Sequence, residues 1–332
     1  MNRFSDLLVR RGVLLADGAT GTNLFEMGLT AGEAPETWIN LFPGRIQALH
    51  RAFVDAGADI ILTNSFGANA RRLMLHDMQS QAYVLNKRAA EIARDVADKA
   101  GRPVIVAGSV GPTGDLLSPL GALSEDDACD VFIQQMEGLR DGGADIVWIE
   151  TMSALEEMRA AVTAAARAGL ACTLTASFDT AGRTMMGIKP ETLAQFAAGL
   201  PRPPLAVGSN CGVGAADLVM SILGLSAASA GLPIIAKANA GIPTVHGDHT
   251  HYSGTPETMA AYAHLALDAG ATIIGGCCGT SPAHLAAIRR AIDCHSAGLQ
   301  PTQADIVAQL GALVSPPSDQ HAPRDRHHRR AH

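Results

Sequence analysis

Eight short runs of β-branched and other apolar residues recur along the chain, and longer alanine-rich segments of helical periodicity separate them. This alternation predicts repeated βα units and a parallel sheet. Eight units within about 280 residues favour a single-domain α/β fold, the (β/α)8 TIM barrel. A doubly wound sheet is the alternative, although no GxGxxG loop follows the first run. The predicted strands are residues 13–17, 59–63, 103–109, 145–150, 171–177, 204–209, 233–238 and 271–276.

The segments between the strands carry helix start and stop signals. Residues 43–57, 124–143 and 255–270 begin with Pro, Ser or Thr and end at Gly. The alternation is lost after residue 295, so we predict a barrel over residues 1–295 and a C-terminal extension over residues 296–332. The end of that extension, SPPSDQHAPRDRHHRRAH, is predicted to be disordered because of its Pro, Ser, Arg and His content.

Composition limits the partners and the location of the protein. The formal net charge is −7, and no basic stripe interrupts it before the tail, which argues against a nucleic-acid partner. The first residues lack the apolar core of a secretory signal, and no run of about 18 apolar residues predicts a membrane span. We therefore expect a cytoplasmic protein whose six cysteines stay reduced.

The stretch GGCCGT, residues 275–280, places two cysteines side by side between glycines. Neighbouring side chains of a strand point to opposite faces, so both thiols reach one point only where the strand ends and the chain turns. Cys277 and Cys278 follow the eighth predicted strand, and Cys211 follows the sixth. Functional groups of a barrel lie at the carboxyl ends of its strands, so these three thiols are predicted to meet at one rim.

Three thiolates at one rim predict a metal site. They leave the fourth tetrahedral position of a Zn²⁺ ion open, as a catalytic zinc requires. Packed small side chains and a strained vicinal disulfide are the alternatives for the adjacent pair. Cys129, Cys172 and Cys294 fall within predicted helices or a strand body, where cysteine acts as a small apolar residue.

Two acidic side chains end strands at the same predicted rim. Asp17 ends the first strand and Glu150 ends the fourth, so both carboxylates would face the site. The alternatives are a turn residue before a glycine for Asp17 and a charge near a helix start for Glu150.

The loop after the seventh strand carries further polar candidates. Asn239 ends that strand and would hold the open metal position at rest, or alternatively cap the loop. His246, His249 and His251 would form a second metal site, but spaced loop histidines are common and the thiols already explain a metal.

Seven stretches, in order along nearly the whole predicted barrel, resemble the homocysteine S-methyltransferase family. This family includes betaine-homocysteine methyltransferases and the homocysteine-binding barrel of cobalamin-dependent methionine synthases. The most specific feature is GGCCG paired with an upstream NC. The stretches are LLADGATGTNL (14–24), GADIILTNSFGAN (57–69), GSVGPTG (108–114), DIVWIETM (145–152), GSNCGVG (208–214), AKANAG (236–241) and GGCCGT (275–280).

The resemblance implies an enzyme that transfers a methyl group to the thiolate of L-homocysteine and gives methionine. It implies a Zn²⁺ ion held by Cys211, Cys277 and Cys278, with the homocysteine sulfur as fourth ligand. It also places the contacts to the substrate ammonium at the positions of Asp17 and Glu150.

The amino-acid carboxylate of homocysteine also needs a partner. We expect it from the backbone amides of Gly18, Ala19 or Ser109, since successive N–H groups bind anions.

Glycine betaine, which would leave as dimethylglycine, is the methyl donor that we expect. Quaternary ammonium groups bind against aromatic faces, and Trp38, Phe66 and Tyr252 lie in predicted rim loops where they would form a partial cage. S-methylmethionine and a methylated corrinoid or folate carrier are alternatives. A corrinoid route would require a separate partner protein, because no cobalamin module follows the barrel in this chain.

Two functions of other classes stay open. A non-catalytic zinc-thiolate or redox-sensing protein would use the thiols without Asp17 and Glu150. A phosphate-binding barrel lyase would need a Schiff-base lysine, for which Lys237 is the candidate. The sequence is compatible with a homo-oligomer and does not select an oligomeric state.

Overall fold

The computed structural model describes residues 2–246 and 249–314, and it describes only the backbone of residues 243–246 and 249–251. Eight parallel strands form one sheet in the order β1-β10-β7-β6-β5-β4-β3-β2. A parallel bridge between Ala16 and Ile60 joins β1 to β2, the strands at the two ends of this order, so the sheet closes into a barrel. The strands are β1 Leu14–Leu15, β2 Ile60–Leu62, β3 Ile105–Val110, β4 Ile146–Met152, β5 Cys172–Ala176, β6 Val207–Cys211, β7 Ile234–Ala238 and β10 Ile273–Gly276.

The predicted (β/α)8 barrel is confirmed. Each of the eight barrel strands overlaps one predicted strand, and helices follow the strands around the sheet. The helices are α1 Arg3–Arg11, α2 Gly21–Glu26, α3 Trp38–Leu41, α4 Pro43–Asp55, α5 Ala70–Leu73, α6 Ala82–Asp98, α7 Glu125–Asp141, α8 Leu155–Arg167, α9 Pro190–Ala198, α10 Ala215–Ala228, α11 Pro256–Asp268, α12 Pro282–Cys294 and α13 Gln303–Leu310.

Side-chain caps explain where several helices begin. The Ser124 and Thr255 side chains accept the N–H groups of Asp127 and Thr258, which have no partner within their helices. Ser281 and His284 form a reciprocal cap at the start of α12. These are the start signals that the sequence pattern predicts.

The apolar core has two parts. One lies between the strands and the surrounding helices, and the other fills the inside of the barrel. Phe4 and Leu7 of α1 belong to the inner part, together with inward-facing strand residues such as Ile60, Ile146 and Ile235. The helix α1 therefore closes the barrel at the amino ends of its strands.

The helix α13 packs against α10 and α11, and its Ile306 is fully buried. This part of the predicted C-terminal extension lies on the barrel wall. The boundary at residue 295 stays a prediction, and the SPPSDQHAPRDRHHRRAH tail lies outside the described residues.

The seventh loop contains a hairpin that the sequence pattern did not predict. Its antiparallel strands are β8 Pro243–His246 and β9 His249–Tyr252. Within the described part of the chain, every helix is too short or too polar to cross a bilayer.

Candidate metal and substrate site

Three thiols meet at the carboxyl ends of the strands. Cys211 is the last residue of β6, while Cys277 and Cys278 follow β10. The Sγ atoms of Cys211 and Cys278 lie 3.9 Å apart, and all three sulfurs lie within 4.8 Å of one another. The three cysteines are free thiols and half-buried, so the cluster is reachable from the rim.

The backbone turn after β10 explains why two adjacent thiols face the same point. The last ladder bond runs from the Cys277 N–H to Ala238 O at 2.7 Å, and the next amide contact brings Ala240 N–H to Cys278 O at 2.9 Å. Gly279 has φ +78°, and a Cβ atom there would lie 2.3 Å from the Tyr252 ring. Only glycine fits this turn without displacing Tyr252.

The thiol cluster fits a tetrahedral zinc ion. Zinc–sulfur bonds of about 2.3 Å place tetrahedral sulfurs about 3.8 Å apart, close to the spacing of these thiols. The hydrogen bond with Cys211 raises the pKa of the Cys277 thiol well above its ordinary value, and burial adds to the increase. Neighbouring thiolates repel one another, so a bound cation would favour the deprotonated form of this cluster.

Asn239 lies beside the cluster and has an unused acceptor. Its Nδ2 donates to Gly212 O at 2.8 Å, and its side chain also contacts the Cys211 thiol. Its Oδ1 is buried and lacks a hydrogen-bond partner among the described residues. A buried amide oxygen without a donor is an available metal ligand.

Asn210 ties three strand ends together. Its Oδ1 accepts from Thr151 N–H at 2.8 Å and from Thr175 Oγ1 at 2.7 Å, and its Nδ2 donates to Thr151 Oγ1 at 2.7 Å. Nδ2 also lies 3.9 Å from Cys277 Sγ. Thr151 and Cys211 both have positive φ values, near 60°, which non-glycine residues rarely adopt. The Asn210 bonds stabilise the strained strand ends that carry the thiols.

A buried ion pair lies inside the barrel next to the thiols. Lys237 Nζ is 3.0 Å from Asp17 Oδ1, and both side chains are at most 3% exposed. Burial by itself disfavours the ammonium, but the charges of Asp17 and Glu150 outweigh it and raise the pKa of Lys237. The 3.0 Å contact with Asp17 Oδ1 is the geometry of an ion pair, which favours the ammonium form of Lys237.

Glu150 lies next to that pair. Its Oε1 accepts a hydrogen bond from Ser109 Oγ at 2.5 Å. Within the described part of the chain, Glu150 has no other hydrogen bond. Burial raises the pKa of Glu150, while the Lys237 charge partly offsets the increase. Asp17 shows the same direction for the same two reasons. Among the described residues, Lys237 is thus the cation that the two buried carboxyl groups share.

The backbone amides predicted for the substrate carboxylate differ in their availability. Ala19 N–H donates to Thr280 Oγ1 at 3.0 Å, and Ser109 N–H donates to Thr63 Oγ1 at 3.0 Å. The Gly18 N–H has no partner among the described hydrogen bonds. The carboxylate assignment stays a prediction, and Gly18 is the residue of the three that is free to serve it.

The three predicted cage aromatics do not share one environment. Tyr252 contacts the Cys278 thiol and is half-buried. Phe66 is partly exposed and packs against Gly111 of the third loop. Trp38 is 1% exposed, and the Arg45 guanidinium lies 4.8 Å from its ring centroid, so a cation already covers that ring. Tyr252 is thus the aromatic that the structure places at the thiols.

The rim loops are held by buried carboxylates. Glu36 Oε1 accepts from Gly67 N–H at 2.7 Å and so joins the first loop to the second. Glu157 Oε1 accepts from both the N–H and the hydroxyl of Thr113 in the third loop. These contacts fix the rim around the site.

The side chains of His246, His249 and His251 lie outside the described residues, so the second metal site stays untested.

Sequence reasoning missed the role of Asn210 and considered Lys237 only as a Schiff-base lysine. Lys237 contacts Asp17 from 220 residues away, and no local periodicity reports such a contact. The usable signal was a lysine inside an otherwise apolar strand, since lysine is almost never fully buried unless paired.

Comparisons with known proteins agree with this geometry. The model of the homocysteine S-methyltransferase family matches residues 14–292. Methionine synthase of Mycobacterium tuberculosis is 33% identical over 303 residues, which cover 86% of this chain and 25% of that protein. Its Mycobacterium leprae counterpart is 32% identical, with 87% and 25% covered. This chain therefore spans about a quarter of the length of these relatives.

A solved structure that matches along nearly its entire length supports the same family. The metallated form of the homocysteine methyltransferase MmuM from Escherichia coli superposes with a TM-score of 0.73 at 25% identity, covering 87% of this chain and 99% of that one. Its oxidized form gives a TM-score of 0.71 at 26% identity. Taken with the family match over almost the entire barrel, these likenesses show that the chain belongs to the homocysteine S-methyltransferase family.

Proposed function

We propose that this protein transfers a methyl group to the thiolate of L-homocysteine on a zinc ion held by Cys211, Cys277 and Cys278. The observation that carries the proposal is the convergence of three sulfurs within 4.8 Å at the rim where Glu150 is buried. A thiol cluster by itself would suit a metal sensor. The buried Glu150 adds a partner for an amino-acid ammonium, which a sensor does not need.

A bound zinc ion would keep the substrate thiol deprotonated near neutral pH. The protein residues bind and orient the rest of the substrate. Glu150 accepts hydrogen bonds from the ammonium, and the Gly18 amide, which has no partner among the described hydrogen bonds, donates to the carboxylate. Asn210 and the turn at Gly279 hold the thiols in position. We also propose that Asn239 Oδ1 serves the open metal position when no substrate is bound.

We propose glycine betaine as the methyl donor. The sulfur lone pair forms the S–C bond while the C–N bond breaks and its electron pair stays on nitrogen, leaving neutral dimethylglycine nitrogen. An anionic thiolate and a cationic methyl group lose charge in this step, so exclusion of water favours it. The contact of Tyr252 with the Cys278 thiol supports the proposal, because it brings an aromatic side chain of the kind that binds trimethylammonium groups close to the thiols.

A second donor class has its own support. The matched relatives include methionine synthases four times as long as the aligned region, and large apolar side chains are exposed in several rim loops. A methylated corrinoid or folate carrier would cover such a surface, and S-methylmethionine is a further small cationic donor. The exposed rim side chains include Phe25, Met27, Phe66, Leu116, Leu120, Met185 and Ile242.

A donor panel tests these assignments. Zinc-loaded protein is given homocysteine with betaine, S-methylmethionine or a methylcorrinoid protein, and methionine is measured. Tyr252→Ala should weaken betaine use roughly 3- to 30-fold through loss of a cation–π contact, while homocysteine binding is nearly spared. A wild type that is inert with betaine and active with either other donor contradicts the betaine assignment.

Removal of one thiol tests the metal site. Cys278→Ala should lose most of its zinc and reduce methionine formation by roughly a thousandfold or more, because two ligands hold the ion poorly. The fold should persist, since the apolar core lies elsewhere. Cys294→Ala is the matched control, because that thiol is exposed on α12. Full zinc content in the Cys278 variant would exclude this site.

A further inference from the structure

Lys237 is a buried cation that the proposed reaction does not use. Its side chain lies inside the barrel with Nζ 3.0 Å from Asp17 and 5.6 Å from the centre of the Trp148 ring. It is not positioned as a free nucleophile, because a charged amine in an ion pair has no available lone pair. Lys237 instead interacts with the two acidic side chains of the site, Asp17 and Glu150.

The GGCCGT stretch makes room for this lysine. Gly275 stands opposite Lys237 in the ladder between β7 and β10. A Cβ atom on Gly275 would lie 2.9 Å from Lys237 Cγ and 3.0 Å from Ala16 Cβ. The first glycine of the stretch therefore leaves the space that the lysine stem occupies.

The oxygens of Asp17 are both occupied. Oδ1 faces Lys237, and Oδ2 accepts from Leu62 N–H at 2.7 Å. Glu150 differs, since in the described part of the chain only the Ser109 hydroxyl hydrogen-bonds to it. The two carboxylates at the site are therefore not equivalent.

We propose that Lys237 is a positioning residue that takes Asp17 as its own counter-ion and leaves Glu150 as the carboxylate that selects the substrate ammonium. This inference rests on the proposed function. The charges support it, because Lys237 and a substrate ammonium together balance Asp17 and Glu150. Without Lys237, both carboxylates would compete for the ammonium.

An ammonium-specific comparison tests the proposal. Homocysteine and 4-mercaptobutanoate share a thiol and a carboxylate but differ in the amino group, so the Kd of 4-mercaptobutanoate divided by the Kd of homocysteine isolates the ammonium contact. Both are titrated by calorimetry into zinc-loaded protein. Glu150→Gln should lower this ratio by roughly tenfold or more, as expected for a charge-assisted contact. Glu156→Gln, an exposed change on α8, should leave it unchanged.

The double variant Asp17→Asn/Lys237→Met removes the ion pair without leaving an unpaired charge. It should keep the Kd ratio within about threefold of wild type, and its Tm should exceed that of either single variant because each single change strands a buried charge. A ratio that collapses as far as in Glu150→Gln would overturn the proposal, since Asp17 would then bind the ammonium directly.

A milder variant decides the question if the double variant does not fold. Ser109→Ala removes the hydroxyl that orients Glu150 and should lower the Kd ratio by roughly threefold, because one hydrogen bond to a charged group is lost. An unchanged ratio would overturn the proposal. A wild type that binds neither thiol would instead refute the proposed function, which separates the two failures.

Discussion

At the amino ends of the strands, the barrel interior is filled by Phe4 and Leu7, whereas at the carboxyl ends it holds Asp17, Glu150 and Lys237. Inside the barrel, apolar side chains of α1 thus seal one end, and ionisable groups occupy the other. Burying an ionisable group costs free energy unless it is paired, so a buried acid without a counter-ion of its own needs a functional reason.

The balance of charge differs between the two ends as well. At the amino ends, the fully buried Asp59 accepts from Leu15 N–H and lies within 3.6 Å of Arg11, Arg102 and Arg289. Cations outnumber the acid there, and the cluster joins β1 and β2. At the carboxyl ends, two acids share one lysine. A surplus of buried acid beside a thiol cluster is suited to a cationic substrate group, whereas the arginine-rich end is suited only to closure.

The largest expected effect is on the free energy of unfolding, and it distinguishes the two ends of the barrel. Phe4→Ala should lower the free energy of unfolding by about 3 to 5 kcal/mol, because it leaves a cavity inside the barrel. Chemical denaturation measures this loss. Zinc affinity at the opposite end should stay unchanged, and a comparable drop in zinc affinity would show that the two ends are coupled.

Measuring stability as a function of pH sharpens the comparison, because the group expected to cause the pH dependence lies away from the rim. His50 of α4 is 1% exposed, and burial lowers its pKa from 6.5 to about 4. The unfolded chain binds the proton first, so stability falls as the pH drops from 6.5 towards 4, by on the order of 3 kcal/mol.

His50→Leu should remove this loss, which denaturant titrations at several pH values can follow. The raised pKa values of the buried carboxyl groups act in the opposite direction, since protonation then favours the folded state. The difference between wild type and variant isolates the histidine. Identical pH profiles for both proteins would contradict the assignment.

The smallest expected effect concerns the support of the thiols. Asn210→Ala should weaken zinc affinity by roughly 10- to 100-fold, as loss of an outer contact to a metal ligand does. Competition with a chelator measures it. Asn86→Ala is the control, because Asn86 of α6 is equally buried but donates to the carbonyl groups of Ala68 and Ala82, away from the thiols. Equal zinc affinities in the two variants would remove Asn210 from the site.

The sequence predicted the eight strands because alternation of strand and helix is a local property. It also predicted that the thiols share a rim, because the carboxyl ends of parallel strands meet at one edge of a barrel. The ion pair of Asp17 with Lys237 was beyond its reach, since the pairing depends on a contact across the closed barrel. The covering of Trp38 by Arg45 depends likewise on loop packing.

Some features lacked a local pattern. The helix α1 was not predicted, because its role depends on a barrel that forms from the rest of the chain. The hairpin of β8 and β9 lies in a loop with few β-branched residues. Asn210 stood in the NC motif, yet only the structure shows that it joins three strand ends.

The central claim is that three protein sulfurs and the substrate sulfur occupy one metal ion. X-ray absorption at the zinc edge tests it directly on the zinc-loaded wild type, with and without homocysteine. We predict three sulfur neighbours and one oxygen or nitrogen neighbour at rest, and four sulfurs at about 2.3 Å after homocysteine is added. Four sulfurs before addition, or three after saturation with homocysteine, would contradict the account.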